Sequence, residues 1–463
     1  MIFLEKFFSV KEKGSDIKTE ILAGITTYLT MAYIIILQPL ILSGKMFGME
    51  TGMNFGGIMF ATCVASAFAT FIMGIYANYP VALAPGMGEN LFFVLAVMPV
   101  VAKSGIENVW QTSLGIVFIS GVLFLLLTVL KMRKVIVDAI SPSMKSAIAV
   151  GIGLFIAFIG LKNAQIIVGD RGTFVSLTKS LYSFNVLLFI TGLIVTSVLH
   201  TRKVKGSILI GILFSAFLCI AAGISGKYFD IKILKEVTRH FDFNFGNVFF
   251  KMPDNPFGVS FKLDVFSALN ISFIHIIIIL LFMDVFDTLG TFIGVAGQLD
   301  EIKDNKIPRI EKAMLADSVG TVAGALLGTS TVTSFIESSA GIEQGGRTGL
   351  TAVVAGVLLL LSLIFYPFVK FISGFPAITA PALVIVGSMM IKNVRKIDWD
   401  DYSEAIPSFL VILGIPLSFS ISDGLSMGII IYPIIKFLAG KSKDIGMIHW
   451  ALSLIFVLRY ILI

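Results

Sequence analysis

Apolar residues run along this chain in long blocks separated by short polar joints. The blocks fall at about 21–42, 55–77, 81–100, 110–130, 141–161, 182–199, 207–225, 265–297, 312–329, 331–344, 349–372, 376–392, 405–421 and 423–439. Most are near or below the ~20 residues a helix needs to cross a bilayer, and they predict membrane-spanning helices. Two blocks do not read as continuous helix. The third opens with PVALAPGMGENLFF, which holds Pro80, Pro85, Gly86 and Gly88. The tenth holds GTSTVTSFIESSAG, rich in β-branched and hydroxyl residues. Such residues disfavour a helix interior, so each block is expected to start extended and continue as a half-helix.

Composition points the same way. Of 463 residues, 56% are hydrophobic and only 14% charged, against roughly 25% charged in soluble domains. Mean hydropathy is +0.95. A soluble fold of this composition could not cover itself with polar groups, so the lipid bilayer is the expected surroundings. The net charge of +6 does not argue for nucleic acid, because the basic residues sit in short joints between apolar blocks. With the N-terminus inside, Lys131, Arg133, Lys134, Lys145, Arg202, Lys203, Lys205, Lys303, Lys306, Arg309, Lys312, Arg347, Lys392, Arg395 and Lys396 all fall on the inner side. That is the positive-inside bias, and it fits fourteen segments with both termini cytoplasmic. The stretch 442–463 is expected as an interfacial helix, as are residues 1–20. Cys63 and Cys219 lie in apolar blocks and read as packing residues, with no disulfide or metal spacing.

An internal repeat organises the blocks. MFATCVASAFATFIMG (59–74) resembles MLADSVGTVAGALLG (314–328). AISPSMKSAIAVGIG (139–153) resembles AITAPALVIVGSMM (377–390), and RKVKGSILIGIL (202–213) resembles SISDGLSMGIII (420–431). The pairs keep one order, and the two broken blocks correspond. A unit of seven segments is odd, so the second unit is inverted relative to the first. Inverted repeats with paired broken helices mark secondary transporters, with the site between the breaks.

The candidate chemistry lies in 282–341. Asp284 and Asp287 follow the apolar run Phe273–Met283, and Glu337 stands in the tenth block. Carboxylates at membrane depth are costly and read as functional by default. Glu337 is read as a ligand contact, a structural cap, or both. Asp284 and Asp287, three apart, share a helix face approximately, and one of them is expected to meet the ligand. Asn90 suits a bidentate contact or a cap, and Glu89 beside it is expected to point elsewhere. Thr27, Tyr28 and Thr30 form a polar cluster in the first block, and Phe92, Phe93 and Phe335 are candidates for stacking. Asp317 and Glu404 read as interfacial or capping residues. A carboxylate beside half-helix N-termini suits a flat ligand with donors and acceptors, such as a nucleobase. No GxxxxGK[ST], zinc or Ser-His-Asp arrangement occurs, so neither direct ATP driving nor an enzyme is expected.

ALAPGMGENLFF (82–93), FMDVFDTLGTFIGVAGQ (282–298), ADSVGTVAGALLGTSTVTSFIESSAGI (316–342) and PAITAPALVIVGSMMIK (376–392) resemble the AzgA-like purine permeases of the nucleobase–ascorbate transporter superfamily. The resemblance covers essentially the whole chain, with Leu91 standing where the family motif commonly has Ala. It implies an all-α membrane protein of fourteen segments in two inverted repeats, with segments 3 and 10 pairing as short strands. A core domain would comprise 21–131 and 265–373, a gate domain 132–225 and 374–441, with an extracellular loop at 226–264. The implied activity is proton symport of adenine, guanine or hypoxanthine across the plasma membrane, with no cofactor beyond the coupling proton. Asp287, Glu337 and Asn90 match the family's site positions, with Phe335 and Thr27 beside them. Asp287, Glu337 and Asp284 are the candidate proton carriers, and a homodimer is left open. Readings kept beside this one are a same-fold carrier of uracil, xanthine or ascorbate, a channel, and a receptor.

Overall fold

The computed structural model of the chain describes residues 2–130, 141–170, 172–229, 250–299 and 309–462. The basic residues expected on inner joints at 131–134 and 303–306, and most of the loop expected at 226–264, lie outside them. Each predicted apolar block contains helix. In the first half these are α1 (Ile2–Phe7), α2 (Ile17–Met31), α3 (Ile34–Leu42) and α4 (Phe55–Ile72). After strand β1 (Leu83–Pro85) come α5 (Met87–Phe92), α6 (Met98–Lys103), α7 (Val109–Val129) and α8 (Pro142–Asn163). A hairpin, β2 (Ile167–Asp170) and β3 (Phe174–Leu177), leads to α9 (Phe184–Thr201) and α10 (Ser207–Phe229). The second half has α11 (Val265–Ala268), α12 (Ile274–Gln298) and α13 (Ile310–Leu327), then strand β4 (Val332–Ser334) and α14 (Ser339–Glu343). It continues with α15 (Gly349–Leu361), α16 (Tyr366–Ser373), α17 (Ala380–Met390), α18 (Tyr402–Ser418), α19 (Ile421–Leu438) and α20 (Met447–Leu462). Seven helical stretches among the described residues are long and apolar enough to cross a membrane, from Ile17–Leu42 to Ile271–Phe292.

Side-chain caps start many of these helices. Asp16 accepts from the Thr19 amide at 3.0 Å, Asn54 from Gly57 at 2.8 Å and Ser141 from Met144 at 3.2 Å. Each supplies an acceptor to an amide that the helix itself leaves unpaired. Glu20 ties two segments, accepting from the Arg347 amide at 2.9 Å and Thr351 Oγ1 at 2.6 Å.

The two broken blocks meet. β1 and β4 pair antiparallel, with Leu83 opposite Ser334, Ala84 opposite Thr333 and Pro85 opposite Val332. Antiparallel entry is what an inverted repeat requires of its matching segments. Each strand is buried along its whole length. Its edges are therefore closed by side chains: Thr70 Oγ1 receives the Leu83 amide at 2.9 Å, and Ser338 Oγ receives the Ala82 amide at 3.0 Å. Other repeat partners also pack on each other. Glycine brings α8 and α17 into backbone contact, since a Cβ on Gly153 would lie 2.9 Å from the Gly387 carbonyl oxygen.

Two packing neighbourhoods follow. α2, α4, α7, α13 and α15 pack together around the strand pair, and α8, α17, α18 and α19 pack together beside them. Helix α12 runs along the first group and meets α20. That last helix was expected as an interfacial segment. It folds back along α19: Trp450 stacks edge-on to Phe437, His449 lies against Tyr432, and Ser453 Oγ donates to the Ile430 carbonyl at 3.1 Å. Phe456 is buried and reaches His275 at the start of α12. The physical reason is an apolar face with a cavity wall to cover, which lipid headgroups would not satisfy.

Candidate functional site

Helix α12 carries the chemistry because its sequence makes two faces. Ile279, Phe282, Met283, Phe286 and Asp287 recur at helical spacing and line a cavity. Asp284, Thr288 and Thr291 form a separate polar stripe directed into the protein. Asp284 Oδ2 accepts from Thr321 Oγ1 on α13 at 2.7 Å, and Thr291 Oγ1 donates to the Ser334 carbonyl at 3.0 Å. Three residues advance a helix by about 300°, leaving the two side chains about 60° apart, so Asp287 reaches the cavity while Asp284 beside it reaches the neighbouring helix α13.

The cavity opens between α12, α5, α8, α19 and α20. Its wall is mostly aliphatic and aromatic, with Ile148, Ile152, Phe282, Phe286, Leu425, Ile429, Leu452 and Phe456. Three ionisable groups interrupt it: Glu89 from α5, Asp287 from α12 and Lys145 from α8. Lys145 Nζ lies 4.3 Å from the centroid of the Phe286 ring, a cation–π contact bridging the two packing neighbourhoods. Phe282 and Phe286 stack with centroids 5.9 Å apart.

Of the residues expected at the site, Asp287 alone lines this cavity. Glu337 is half-buried in the turn after β4, where its Oε1 accepts from Tyr33 Oη at 2.6 Å. Asn90 is wholly buried. Its Nδ2 donates to the Pro85 carbonyl at 3.3 Å and its Oδ1 accepts from Ser330 Oγ, so it ties the strand junction. Phe335 packs in the main apolar core, and its amide donates to the Ala82 carbonyl at 3.0 Å. Thr27 is buried where α2 meets Gly341, whose missing Cβ leaves room for the threonine hydroxyl.

Sequence reasoning missed two acids. Asp317, read as a capping residue, is fully buried behind β4, accepting from Thr288 Oγ1 and Ser334 Oγ, each at 2.6 Å. Its position midway along an apolar helix was the available signal. Glu89, expected to point elsewhere, lines the cavity wall together with Asp287. Glu404 is more than a cap: Ser141 Oγ at 2.6 Å, Tyr432 Oη at 3.0 Å and Lys436 Nζ at 2.9 Å converge on it.

An apolar helical bundle with crossed broken segments, and a small cavity whose few ionisable groups lie between two packing neighbourhoods, defines a membrane transport protein. No group of His, Cys, Asp and Glu among the described residues is arranged to hold a metal. Residues 18–427 match the Permease family (Xan_ur_permease), and the chain belongs to that family. Among similar proteins, the guanine/hypoxanthine permease PbuO of Bacillus subtilis is 39% identical, covering 98% of this chain and 99% of its own. The adenine permease AdeQ of Escherichia coli is 36% identical, covering 99% of this chain and 96% of its own. The fold is shared with the transmembrane domain of a cyanobacterial bicarbonate transporter, BicA, at a TM-score of 0.60 and 15% identity. That comparison covers 89% of this chain and 97% of the other.

Proposed function

We propose that this permease is a purine nucleobase:proton symporter of the plasma membrane, taking up adenine, guanine or hypoxanthine by alternating access. The observation that carries the reading is the acid-bearing cavity wall at Asp287, in a chain similar from end to end to permeases named for those bases. A purine offers ring N–H and amino donors around a flat apolar face. An ionised carboxylate only accepts hydrogen bonds, and aromatic rings stack on flat faces. Asp287 accepts from the base while Phe282 or Phe286 meets its plane. Glu337, steadied by Tyr33, stands behind Asp287, and Asn90, Phe335 and Thr27 hold the strand junction in shape. The coupling proton rides on the carboxyl cluster to which Asp287, Glu337 and Asp284 belong. An anionic substrate fits poorly, because it would meet like charge at the wall.

Transport on this reading moves a core of residues 21–131 and 265–373 against a gate of 132–225 and 374–441. The contact of Lys145 with Phe286 lies on that boundary. A homodimer is the working assembly, and the N-terminus is cytoplasmic. The test is uptake of labelled adenine, guanine and hypoxanthine in a host lacking its own purine carriers, with xanthine and uracil as competitors. Accumulation above the external concentration that collapses with a protonophore supports the reading. Mere equilibration identifies a channel, and competition by uracil alone identifies a different substrate.

A further inference from the structure

We infer that Glu89 and Asp287 act as one carboxyl pair holding a single exchangeable proton between them, and that this pair, with Glu89 as its buried member, couples proton movement to base movement. The inference rests on the symport reading above and assigns a role to a residue that reading does not use.

Asp284, Asp317 and Glu337 each accept from a hydroxyl: Thr321 for the first, Thr288 and Ser334 for the second, Tyr33 for the third. Glu89 has no such donor. It is 1% exposed, and neither carboxyl oxygen has a hydrogen-bond partner among the described residues when both acids are written as carboxylates. Yet Glu89 and Asp287 line the same cavity wall, and their carboxyl groups interact. Two acceptor-only groups form a hydrogen bond only when one of them carries a proton. A buried acid without that proton would be left unsatisfied and charged in an apolar wall, at a cost of several kcal/mol.

The backbone is built to allow the contact. Glu89 lies in the first turn of α5, directly after β1, and a Cβ at Gly86 would collide with Glu89 Oε2. The other ionisable groups around the pair are Asp284 and Asp317 on its protein side, Glu337 beyond Asp287, and Lys145 on the cavity wall. Asp287 faces the cavity and Glu89 sits behind it, so a base can take the acceptor of Asp287 while the proton stays on Glu89. The step makes and breaks O–H bonds only. One proton enters the pair from water on the side of base entry, and one leaves to water on the side of base release.

Proteoliposomes test this with a ratio internal to each protein: guanine accumulation under an imposed one-unit pH gradient, divided by guanine counterflow without a gradient. One proton per base allows about tenfold accumulation per pH unit. In Glu89→Gln an amide N–H takes the place of the shared proton permanently. The wild-type ratio is expected to respond to the gradient, and the variant ratio is expected to lose that response at whatever counterflow remains. A variant as gradient-responsive as wild type overturns the inference while leaving symport standing. A wild-type protein without gradient response overturns the symport reading itself. Should Glu89→Gln show no counterflow, Glu89→Asp is measured: it keeps a carboxyl on a shorter arm, so gradient drive persists with a displaced pH profile. A profile identical to wild type overturns the inference.

Discussion

The hydrogen bond from Tyr33 to Glu337 shows how a single side chain sets the state of another. At 2.6 Å it is a short bond to a carboxylate, of a kind worth about 1.5–3 kcal/mol when the group is charged. Tyr33→Phe keeps the ring and removes the donor. We expect a lower melting temperature in detergent and weaker base uptake, and wild-type values of both would show that Glu337 needs no such anchor. The two aspartates of α12 call for opposite outcomes. Asp287→Asn is expected to abolish or strongly reduce uptake with little loss of melting temperature, because it faces the cavity. Asp284→Asn, buried against Thr321, is expected to lower stability first, and thermal unfolding beside uptake separates the two. Asp287 and Glu337 were legible in the sequence because an acid in an apolar block stands out. Glu89 was legible as an acid but not as a partner, since its contact depends on how α5 leaves β1. Asn90 stood out equally, and the fold spends its amide on Pro85 and Ser330.

At the scale of elements, the breaks, their strand character and the repeat were readable from Pro, Gly and β-branched residues. What pairs with what was fixed by packing between distant segments, as at Gly153 and Gly387. Gly387→Leu drives a side chain into the backbone of α8, and overpacking of this kind costs about 1–3 kcal/mol or more. Less folded protein in membranes and a lower melting temperature are expected, whereas Gly290→Ala, where a Cβ meets nothing within 4 Å, should be tolerated. The cytoplasm-facing end expected for α18 and α19 carries a polar knot. Asp401 caps α18, bonding Lys441 at 2.7 Å, with buried Lys436 at 3.4 Å. The Lys441 ammonium and the Ser403 donors hold the Asp401 carboxyl below the usual carboxylate range. A carboxyl depressed in the folded state stabilises the fold above its unfolded value near 4, and the contribution fades as pH falls below that. Wild type should therefore melt higher than Asp401→Asn at pH 7, with the gap narrowing as pH drops through 4.

For the whole molecule, the helical class and the membrane setting followed from composition alone. The division into two packing neighbourhoods with a cavity between them did not, because it depends on which apolar face meets which. The last sixteen residues of helix, α20, expected at the membrane surface, also line the cavity through Leu452 and Phe456. Through Phe456, α20 thus reaches the level where α12 begins, while Lys441 and the polar knot lie at the other end of α19. A stop codon after Gly446 would unseal the cavity sideways and let lipid tails compete with the base. Alkaline phosphatase, active only outside the cytoplasm, should be active when fused after Ile463, and a green fluorescent protein exported unfolded to the same place should stay dark. A bright fluorescent fusion and a silent phosphatase would return the tail to the inner surface.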